Sequence, residues 1–241
     1  MQLKIIGNKG KYPSNDAGTA CYLISEKQTN IICDFGCGNI NNLFKSVSIG
    51  QISAIFLSHL HFDHISDILC FKYMAEENLA KGIIAPINVF LPATPNAEFE
   101  LIKNCKAFNC HTICDKFVVN IEGIEVKCFK MEHPVETYGL KFAYDGAILA
   151  YTADTILTDN LRNLMQNASV VLGDACILQK DFKPHLPHLT VKQLADCCAQ
   201  FAPNATLLLT HLPMEESNIL LEAKQSFVNC KLTEKNKIYD I

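Results

Sequence analysis

The sequence predicts a mixed α/β (α+β) fold in which two sheets pack face to face with helices outside them. Two observations lead to this prediction. Short apolar runs with the residue types of strands open the chain and recur in its middle. After each group of strands the apolar residues change to helical spacing, so that the chain has two successive halves, each strand-rich first and helical afterward.

The first half begins with four strand-like runs that Gly, Asn and Asp punctuate. These runs are QLKIIG at 2–7, CYLIS at 21–25, NIICDFG at 30–36 and SAIFLS at 53–58. A helix is expected from about Asp63 to Lys81, ahead of Gly82. Its buried stripe is predicted to consist of Ile65, Ile68, Leu69 and Tyr73.

The second half opens on the runs KFVVNI, GIEVKCFKM, YGLKFAY and AILAYTAD. Strands and helices then alternate: a helix from about Thr158, the strand SVVLGD, a helix opening at Thr190, the strand ATLLLTH and a last helix near 216–229. Thr190 and Gln193 have the spacing of a capping box, and Pro203 follows the expected end of that helix. Because no repeat or linker divides the chain, one domain over residues 1–241 is predicted.

Composition and charge exclude several classes of protein. The chain has 241 residues, 49% of them apolar and 19% charged, as globular proteins do. Its formal net charge is −4 and it has no Lys/Arg block, so long nucleic acids and anionic membranes are not expected partners. No apolar run approaches the roughly 18 residues of a membrane span, and the first residues lack a signal-peptide core, which predicts a cytoplasmic protein.

The 12 cysteines are expected to be mostly free thiols at apolar positions, since a chain of this length needs no disulfides to hold its core. Three of them lie in strand-like runs and are predicted to be buried: Cys33, Cys128 and Cys176. A further group has a looser spacing than structural zinc knuckles, and whether it binds a metal is left open: Cys105, Cys110, His111 and Cys114.

The segment SHLHFDH at 58–64 carries the strongest chemical signal. In extended backbone, His59 and His61 project to the same face and can bind one cation. Asp63 and His64 follow at the turn into the helix and can point to a neighbouring position. Imidazole and carboxylate suit zinc, manganese or iron, and a chance match has a probability of order 10⁻⁴.

Three further candidate ligands stand at the ends of predicted strands. His133 lies in KMEHPVETYG, Asp154 closes AILAYTAD and His211 closes ATLLLTH. A single residue of this kind is usually an ordinary loop residue, but together with the segment 58–64 these three become candidates for the same site.

The order HxHxDH, then one His, one Asp and a final His, resembles the metallo-β-lactamase superfamily. The runs ACYLI at 20–24 and DFG at 34–36 are similar to the family's first hairpin and its Asp-x-Gly motif. The resemblance covers residues 2 to about 232. It implies a four-layered αβ/βα sandwich, with two mixed sheets flanked by helices and a dinuclear metal site at one edge of the sheets.

The same resemblance implies a role for each candidate ligand. His59, His61 and His133 would bind one metal, and Asp63, His64 and His211 the second. Asp154 would bridge the two. The cofactors would be two divalent ions, with zinc expected first and manganese or iron as alternatives. A hydroxide bridging them would be the nucleophile, oriented or deprotonated by Asp63.

Within the superfamily, HLT at 188–190 and LTH at 209–211 resemble the ribonuclease Z branch and its small phosphodiesterase relatives. By this resemblance His188 would stabilise the developing oxyanion or protonate the leaving alkoxide, with His185 as the rival proton donor. Asp34 would brace a metal ligand or simply form a turn. GDA at 173–175 stands where relatives usually carry Glu-Ala.

Only 20 residues lie between His133 and Asp154, too few for the arm with which ribonuclease Z binds transfer RNA. We therefore expect a hydrolase of cyclic or short nucleotide phosphodiesters. The alternatives are a carboxyl ester, thioester or lactone hydrolase and, in a different class, an iron-dependent persulfide oxygenase. The expected partner is a small-molecule or short-nucleotide substrate, and the resemblance leaves a homodimer open.

Overall fold

The computed structural model describes all 241 residues, Met1–Ile241. The chain divides into two compact units: unit 1 comprises Met1–Ile113 and Lys235–Asp240, and unit 2 comprises Cys114–Glu234 and Ile241. Each unit has one seven-stranded mixed sheet with its own helices, as the strand and helix order predicts. The single domain over 1–241 stays a prediction. None of the helices combines the length and the apolar composition that crossing a bilayer requires.

The sheet of unit 1 contains both the first and the last strand of the chain, because the last strand returns to pair with the first. Numbered in chain order, its strands are β1 (Gln2–Gly7), β2 (Cys21–Glu26), β3 (Thr29–Phe35), β4 (Ala54–Phe56), β5 (Ile87–Leu91), β6 (Phe108–Thr112) and β14 (Ile238–Asp240). They lie in the order β14-β1-β2-β3-β4-β5-β6. The pairs from β14 to β3 are antiparallel, and those from β3 to β6 are parallel.

The helices of unit 1 are α1 (Ile40–Leu43), α2 (Phe62–Ala80) and α3 (Asn96–Lys103), with a 3₁₀ turn at Ile49–Gln51. Helix α2 contributes Ile65, Ile68, Phe71 and Ala75 to the core that packs on the sheet. The prediction of Tyr73 in this stripe was wrong, since its side chain is 67% exposed. A residue five positions after Ile68 points away from the row at 65, 68 and 75, which the helical period of about 3.6 defines.

Unit 2 has strands β7 (Val118–Ile121), β8 (Ile124–Met131), β9 (Thr137–Tyr144), β10 (Ala147–Tyr151), β11 (Val170–Asp174), β12 (Thr206–Thr210) and β13 (Cys230–Leu232). Their order is β13-β12-β11-β10-β9-β8-β7. Strands β7 to β10 form an antiparallel meander, and β10 to β13 pair in parallel. The helices are α4 (Asp159–Met165), α5 (Val191–Phe201) and α6 (Ile219–Ser226), with a 3₁₀ turn at Gln179–Asp181.

The start of α5 confirms the predicted capping box. The Thr190 side chain accepts a hydrogen bond from the Gln193 backbone N–H, and the Gln193 side chain accepts one from the Thr190 N–H. The last helix is shorter than predicted, because it begins only after Asn218 in the left-handed conformation. Cys176 is also not a buried strand residue, since β11 ends at Asp174 and the Cys176 side chain is partly exposed.

Parallel pairing determines where the polar residues that follow the strands lie. In unit 1, β3 and β4 are neighbours and their carboxyl ends meet at one edge. In unit 2 the same holds for β10, β11 and β12. At these edges Asp34, Ala153 and His211 adopt positive φ angles of 55°, 53° and 53°. Such conformations cost about 1–3 kcal/mol each and are typical of functional sites.

Candidate metal centre

The candidate metal-binding motif of unit 1, residues 58–64, lies between the end of β4 and the first turn of α2, beside the end of β3. Asp34 is fully buried there. It accepts hydrogen bonds from the Ser58 backbone N–H at 2.7 Å and from the Ser58 hydroxyl at 2.8 Å. The hydroxyl thus has no second proton, so His59 Nδ1, 3.1 Å away, donates to it. His59 therefore presents Nε2 as its lone-pair nitrogen.

His59 and His61 direct nitrogens toward the same position. Nε2 of His59 lies 3.1 Å from Nδ1 of His61, and the two rings stand at 82°. Two ring nitrogens this close need a proton or a cation between them. Two zinc–nitrogen bonds of about 2.05 Å at this separation would enclose an angle of roughly 100°, within the range of zinc coordination. The sequence prediction that these two side chains converge is confirmed.

His64 is held by the same carboxylate. Its Nδ1 donates to Asp34 Oδ2 at 2.8 Å, which directs Nε2 toward Asp63, whose Oδ2 lies 3.7 Å away. The rings of His59 and His64 are 4.0 Å apart between centroids. Asp63 Oδ2 also accepts a hydrogen bond from the Lys11 backbone N–H at 2.9 Å. Asp34 therefore orients two histidines, His64 directly and His59 through the Ser58 hydroxyl, and does not only form a turn.

A close backbone approach positions the turn that carries Asp63. A Cβ atom at Gly36 would lie 1.9 Å from the Asp63 carbonyl oxygen and 2.3 Å from the Thr19 hydroxyl. No side chain fits in that space. The glycine of the DFG run therefore lets the end of β3 pack directly against the turn that carries Asp63.

In unit 2, three of the predicted residues meet where strands end. Asp154 follows β10, and its Oδ2 lies 3.4 Å from Nε2 of His211 and 4.0 Å from Nε2 of His133. His133 Nδ1 donates to the Pro187 carbonyl at 3.0 Å, which leaves Nε2 as its lone-pair nitrogen. Two imidazole nitrogens thus face one buried carboxylate oxygen, as the sequence predicts for His133, Asp154 and His211.

Asp174 joins the remaining histidines, and sequence reasoning did not assign it a role. Its Oδ2 lies 2.6 Å from Nδ1 of His188, and its Oδ1 lies 3.1 Å from Nδ1 of His211. The side chain comes from the last residue of β11, beside Thr210 at the end of β12. One signal in the sequence could have identified Asp174. It is an acidic residue at the end of a buried strand, and the next strand along the chain ends directly before the final histidine, His211.

The charges of this group strongly favour an ion pair. Although burial opposes its ionised form, the charges of His188 and His211 and their hydrogen bonds hold the pKa of Asp174 far below its usual range. For His188, burial works against the charged ring, but the adjacent Asp174 charge and hydrogen bond raise its pKa to about 11. Both effects favour an ionised Asp174 with a proton on His188 Nδ1 directed at the carboxylate.

The two rival histidines for proton donation differ clearly. His188 is buried, and its Nδ1 lies 3.9 Å from Asp154 Oδ2. His185 is exposed.

The cysteine group whose spacing is looser than that of zinc knuckles forms no metal site within unit 1. There His111 Nε2 contacts the Asn88 side chain at 2.9 Å, and the Cys105 thiol contacts the Lys72 carbonyl. All 12 cysteines are free thiols.

The donor set fits divalent transition metals. In each unit, buried histidines present one nitrogen toward a carboxylate or another imidazole while the opposite nitrogen is hydrogen-bonded to Asp34, Asp174, Ser58 or a carbonyl. This is how metal-binding histidines are usually oriented. Imidazole and carboxylate ligands without thiolate suit zinc, manganese or iron.

Comparison with known proteins gives a consistent result. Residues 29–212 match the sequence profile described as the beta-lactamase superfamily domain. The probable metallo-hydrolase YhfI of Bacillus subtilis is 26% identical over 236 residues, which cover 94% of each chain. Its crystal structure has a TM-score of 0.92 at 21% identity and covers 99% of this chain and 98% of that one.

A further relative and a further solved structure are similar to this chain. Ribonuclease Z of Mycobacterium marinum is 24% identical over 247 residues, covering 88% of this chain and 86% of that protein. A diphosphatase from the PhnP family has a TM-score of 0.79 at 16% identity, covering 100% of this chain and 97% of that one. The predicted fold class, two mixed sheets flanked by helices, is confirmed. The chain belongs to the beta-lactamase superfamily and is related to its divalent-metal hydrolases, including ribonuclease Z.

Proposed function

We propose that this protein is a metal-dependent phosphodiesterase that hydrolyses cyclic or short nucleotide phosphodiesters. Two divalent metal ions would be bound, one by His59, His61 and His133 and the other by Asp63, His64 and His211, with Asp154 shared between them. When bound, the pair of cations would lower the pKa of a water molecule to near 7 and neutralise charge on the phosphate.

The residues of the chain would contribute orientation and proton transfer. Asp63 is partly exposed beside His64, and its carboxylate would orient the attacking water or take its proton. Asp34 and Asp174 would keep His64 and His211 in the tautomer that presents Nε2. His188, held by Asp174 through Nδ1, would give the proton on Nε2 to the leaving alkoxide.

The observation that carries the proposal is the Asp174–His188 pair, at 2.6 Å. His188 belongs to no proposed ligand set, yet it is buried and lies within 3.9 Å of Asp154. A phosphodiester leaves as an alkoxide, which needs a proton, and general acids of this kind typically contribute 10² to 10⁴-fold. A charged histidine that is fixed beside the ligands meets that need.

The region between His133 and Asp154 supports a short substrate. It forms the hairpin of β9 and β10, joined by the two-residue turn Asp145-Gly146. Both turn residues have positive φ angles, 47° and 81°, as a tight type I′ turn requires. A turn this short leaves no room for a protruding arm like the one with which ribonuclease Z binds transfer RNA.

The alternatives make different demands on these residues. A carboxyl ester, thioester or lactone hydrolase would use the same ligands. The alkoxide that leaves an ester or lactone needs a proton from His188, whereas the thiolate that leaves a thioester does not. Iron-dependent persulfide oxidation would likewise have no use for a proton donor to an alkoxide. The Asp174–His188 pair therefore favours substrates that leave as alkoxides over thioesters and persulfides, and the relationship to ribonuclease Z favours the phosphodiester among them.

A substrate panel tests the proposal. Wild-type protein and Asp154→Ala are assayed with Mn²⁺ or Zn²⁺ on bis-p-nitrophenyl phosphate, 2′,3′-cyclic nucleotides, lactones and thioesters. We expect hydrolysis of phosphodiesters that Asp154→Ala loses. Activity on carbonyl substrates alone, or phosphodiester hydrolysis that is equal in Asp154→Ala, would overturn the proposal.

A further inference from the structure

Unit 2 contains a second arrangement of candidate metal-binding side chains, which shares Asp174, His188 and His211 with the proposed function and adds Cys176. Asp174, Cys176, His188 and His211 each offer one ligand atom, and these four atoms all lie within 4.8 Å of one another. Three of the residues are buried and Cys176 is partly exposed. Cys176 adds a thiol, which none of the proposed catalytic ligands has, and its side chain is partly exposed.

The fold holds these four residues together independently of any ligand. Asp174 ends β11 beside the end of β12, and His211 follows β12 directly. The Cys176 backbone N–H donates to Asp174 Oδ1 at 3.2 Å, which fixes the thiol two residues beyond the carboxylate. His188 approaches from the segment before α5 and contacts Asp174. The rings of His188 and His211 are stacked with centroids 5.4 Å apart.

We propose that Asp174, Cys176, His188 and His211 form a binding site for a thiophilic divalent cation such as Zn²⁺, Cd²⁺ or Co²⁺, and that its occupation inhibits the enzyme. Cysteine, histidine and carboxylate in fourfold coordination are typical ligands of such ions, whereas Mn²⁺ and Mg²⁺ avoid thiolate. Ligand atoms around one tetrahedral zinc lie about 3.3–3.8 Å apart, so the group needs only small movements to close on an ion.

Binding has a defined chemical balance. The cation would replace the thiol proton of Cys176 and the Nδ1 protons that His188 and His211 direct at Asp174. Two of these protons would be released to solvent, and the third would move to His211 Nε2, which could then no longer bind a catalytic metal. The Asp174 carboxylate would then bind the cation instead of orienting His188. The inhibition part of this inference rests on the proposed function, whereas cation binding at Cys176 does not.

Cobalt absorbance tests binding without any assay of activity. Apoprotein is titrated with Co²⁺, whose bond to a thiolate gives a near-ultraviolet charge-transfer band. All proteins carry Cys70→Ser and Cys114→Ser, which remove the two exposed thiols. Cys176→Ser is compared with Cys110→Ser, a matched control at another partly exposed cysteine, and circular dichroism verifies that each variant is folded.

We expect one saturable thiolate–cobalt band in the parent protein and in Cys110→Ser, and none in Cys176→Ser. Cd²⁺ affinity should fall in Cys176→Ser by at least the roughly 10- to 100-fold that loss of an outer partner costs a metal site. A band that persists in Cys176→Ser, or no thiolate band in the parent, would overturn the site. A crystal soaked in Co²⁺ should show anomalous density at Cys176 Sγ, and density only elsewhere would also refute it.

Failure of this inference is distinguishable from failure of the proposed function. If the thiolate band forms but phosphodiesters are not hydrolysed, the site stands and the function is wrong. If hydrolysis occurs and excess Cd²⁺ inhibits wild type and Cys176→Ser at the same concentration, the function stands and the inhibitory role of the site is refuted.

Discussion

The Nδ1 atom of His188 lies 2.6 Å from Oδ2 of Asp174, and both side chains are buried. This pair arises because β11 ends at Asp174 and the segment before α5 brings His188 against it. The opposite oxygen of the carboxylate holds His211 at 3.1 Å. One buried acid thus orients both a proposed metal ligand and the proposed proton donor.

Replacing His188 with Ala should lower turnover by roughly 10² to 10⁴-fold, because the leaving alkoxide would have to depart without a proton. Metal content should stay at the wild-type level, since His188 is not among the proposed catalytic ligands. His185→Ala is the matched control at an exposed histidine three residues earlier and should retain wild-type kinetics. Steady-state kinetics with metal analysis decide the matter, and equal loss of metal and activity in His188→Ala would make His188 a ligand instead.

Substitution of Asp174 by Asn should lower kcat by about 10- to 100-fold with little change in KM, because the amide cannot hold both His188 and His211 as the carboxylate does. Asp174→Glu keeps the charge, so it should retain more activity than Asp174→Asn. Kinetics of both variants on one phosphodiester test this. If Asn and Glu were equally active, the charge of Asp174 would have no role.

The geometry of the candidate motif at residues 58–64 could be predicted from the sequence because it is local. His59 and His61 lie two residues apart in extended backbone, and Asp63 with His64 opens α2, so neighbouring residues alone determine their directions. His133, Asp154 and His211 could be predicted only by combining strand ends with a family resemblance. Sequence reasoning missed Asp174 because its role depends on the pairing of β11 with β12, which residues far apart in the chain determine.

The fold, like the candidate site, could be predicted in part from the sequence. Strands with clear apolar alternation and the capped helix α5 were found at nearly their observed bounds. Strands β5 and β6 and helix α3 were not predicted. Helix α3 has only eight residues and buries a single apolar one, Ile102, so its periodicity is weak. Strands β13 and β14 have three residues each and are defined by their partners rather than by their own pattern.

Asp34→Asn should weaken metal binding by roughly 10- to 100-fold, because an amide can no longer accept hydrogen bonds at both oxygens from Ser58 and His64. Competition for Zn²⁺ against a chromophoric chelator measures this affinity. Asp16→Asn, at an exposed aspartate in the same unit, serves as the control and should bind metal like wild type. Unchanged affinity in Asp34→Asn would mean that Asp34 only forms a turn.

Gly36→Ala should destabilise the protein by about 1–3 kcal/mol or more, because the new Cβ would lie 1.9 Å from the Asp63 carbonyl oxygen. The strain should also displace Asp63 and lower metal affinity. Gly50→Ala is the control, since its Cβ would have no heavy atom within 4 Å, and should stay within about 0.5 kcal/mol of wild type. Urea unfolding measures both variants. A Gly36→Ala protein as stable as wild type would contradict the close approach.

The number of metal ions per chain tests most directly whether seven side chains bind a pair of cations. Protein loaded with Mn²⁺, which does not favour the Cys176 thiol, is freed of excess metal and analysed by inductively coupled plasma mass spectrometry. We expect two manganese ions per wild-type chain and fewer than one in Asp154→Ala. A wild-type protein that retains no divalent cation, or that binds a single iron in preference, would contradict the account.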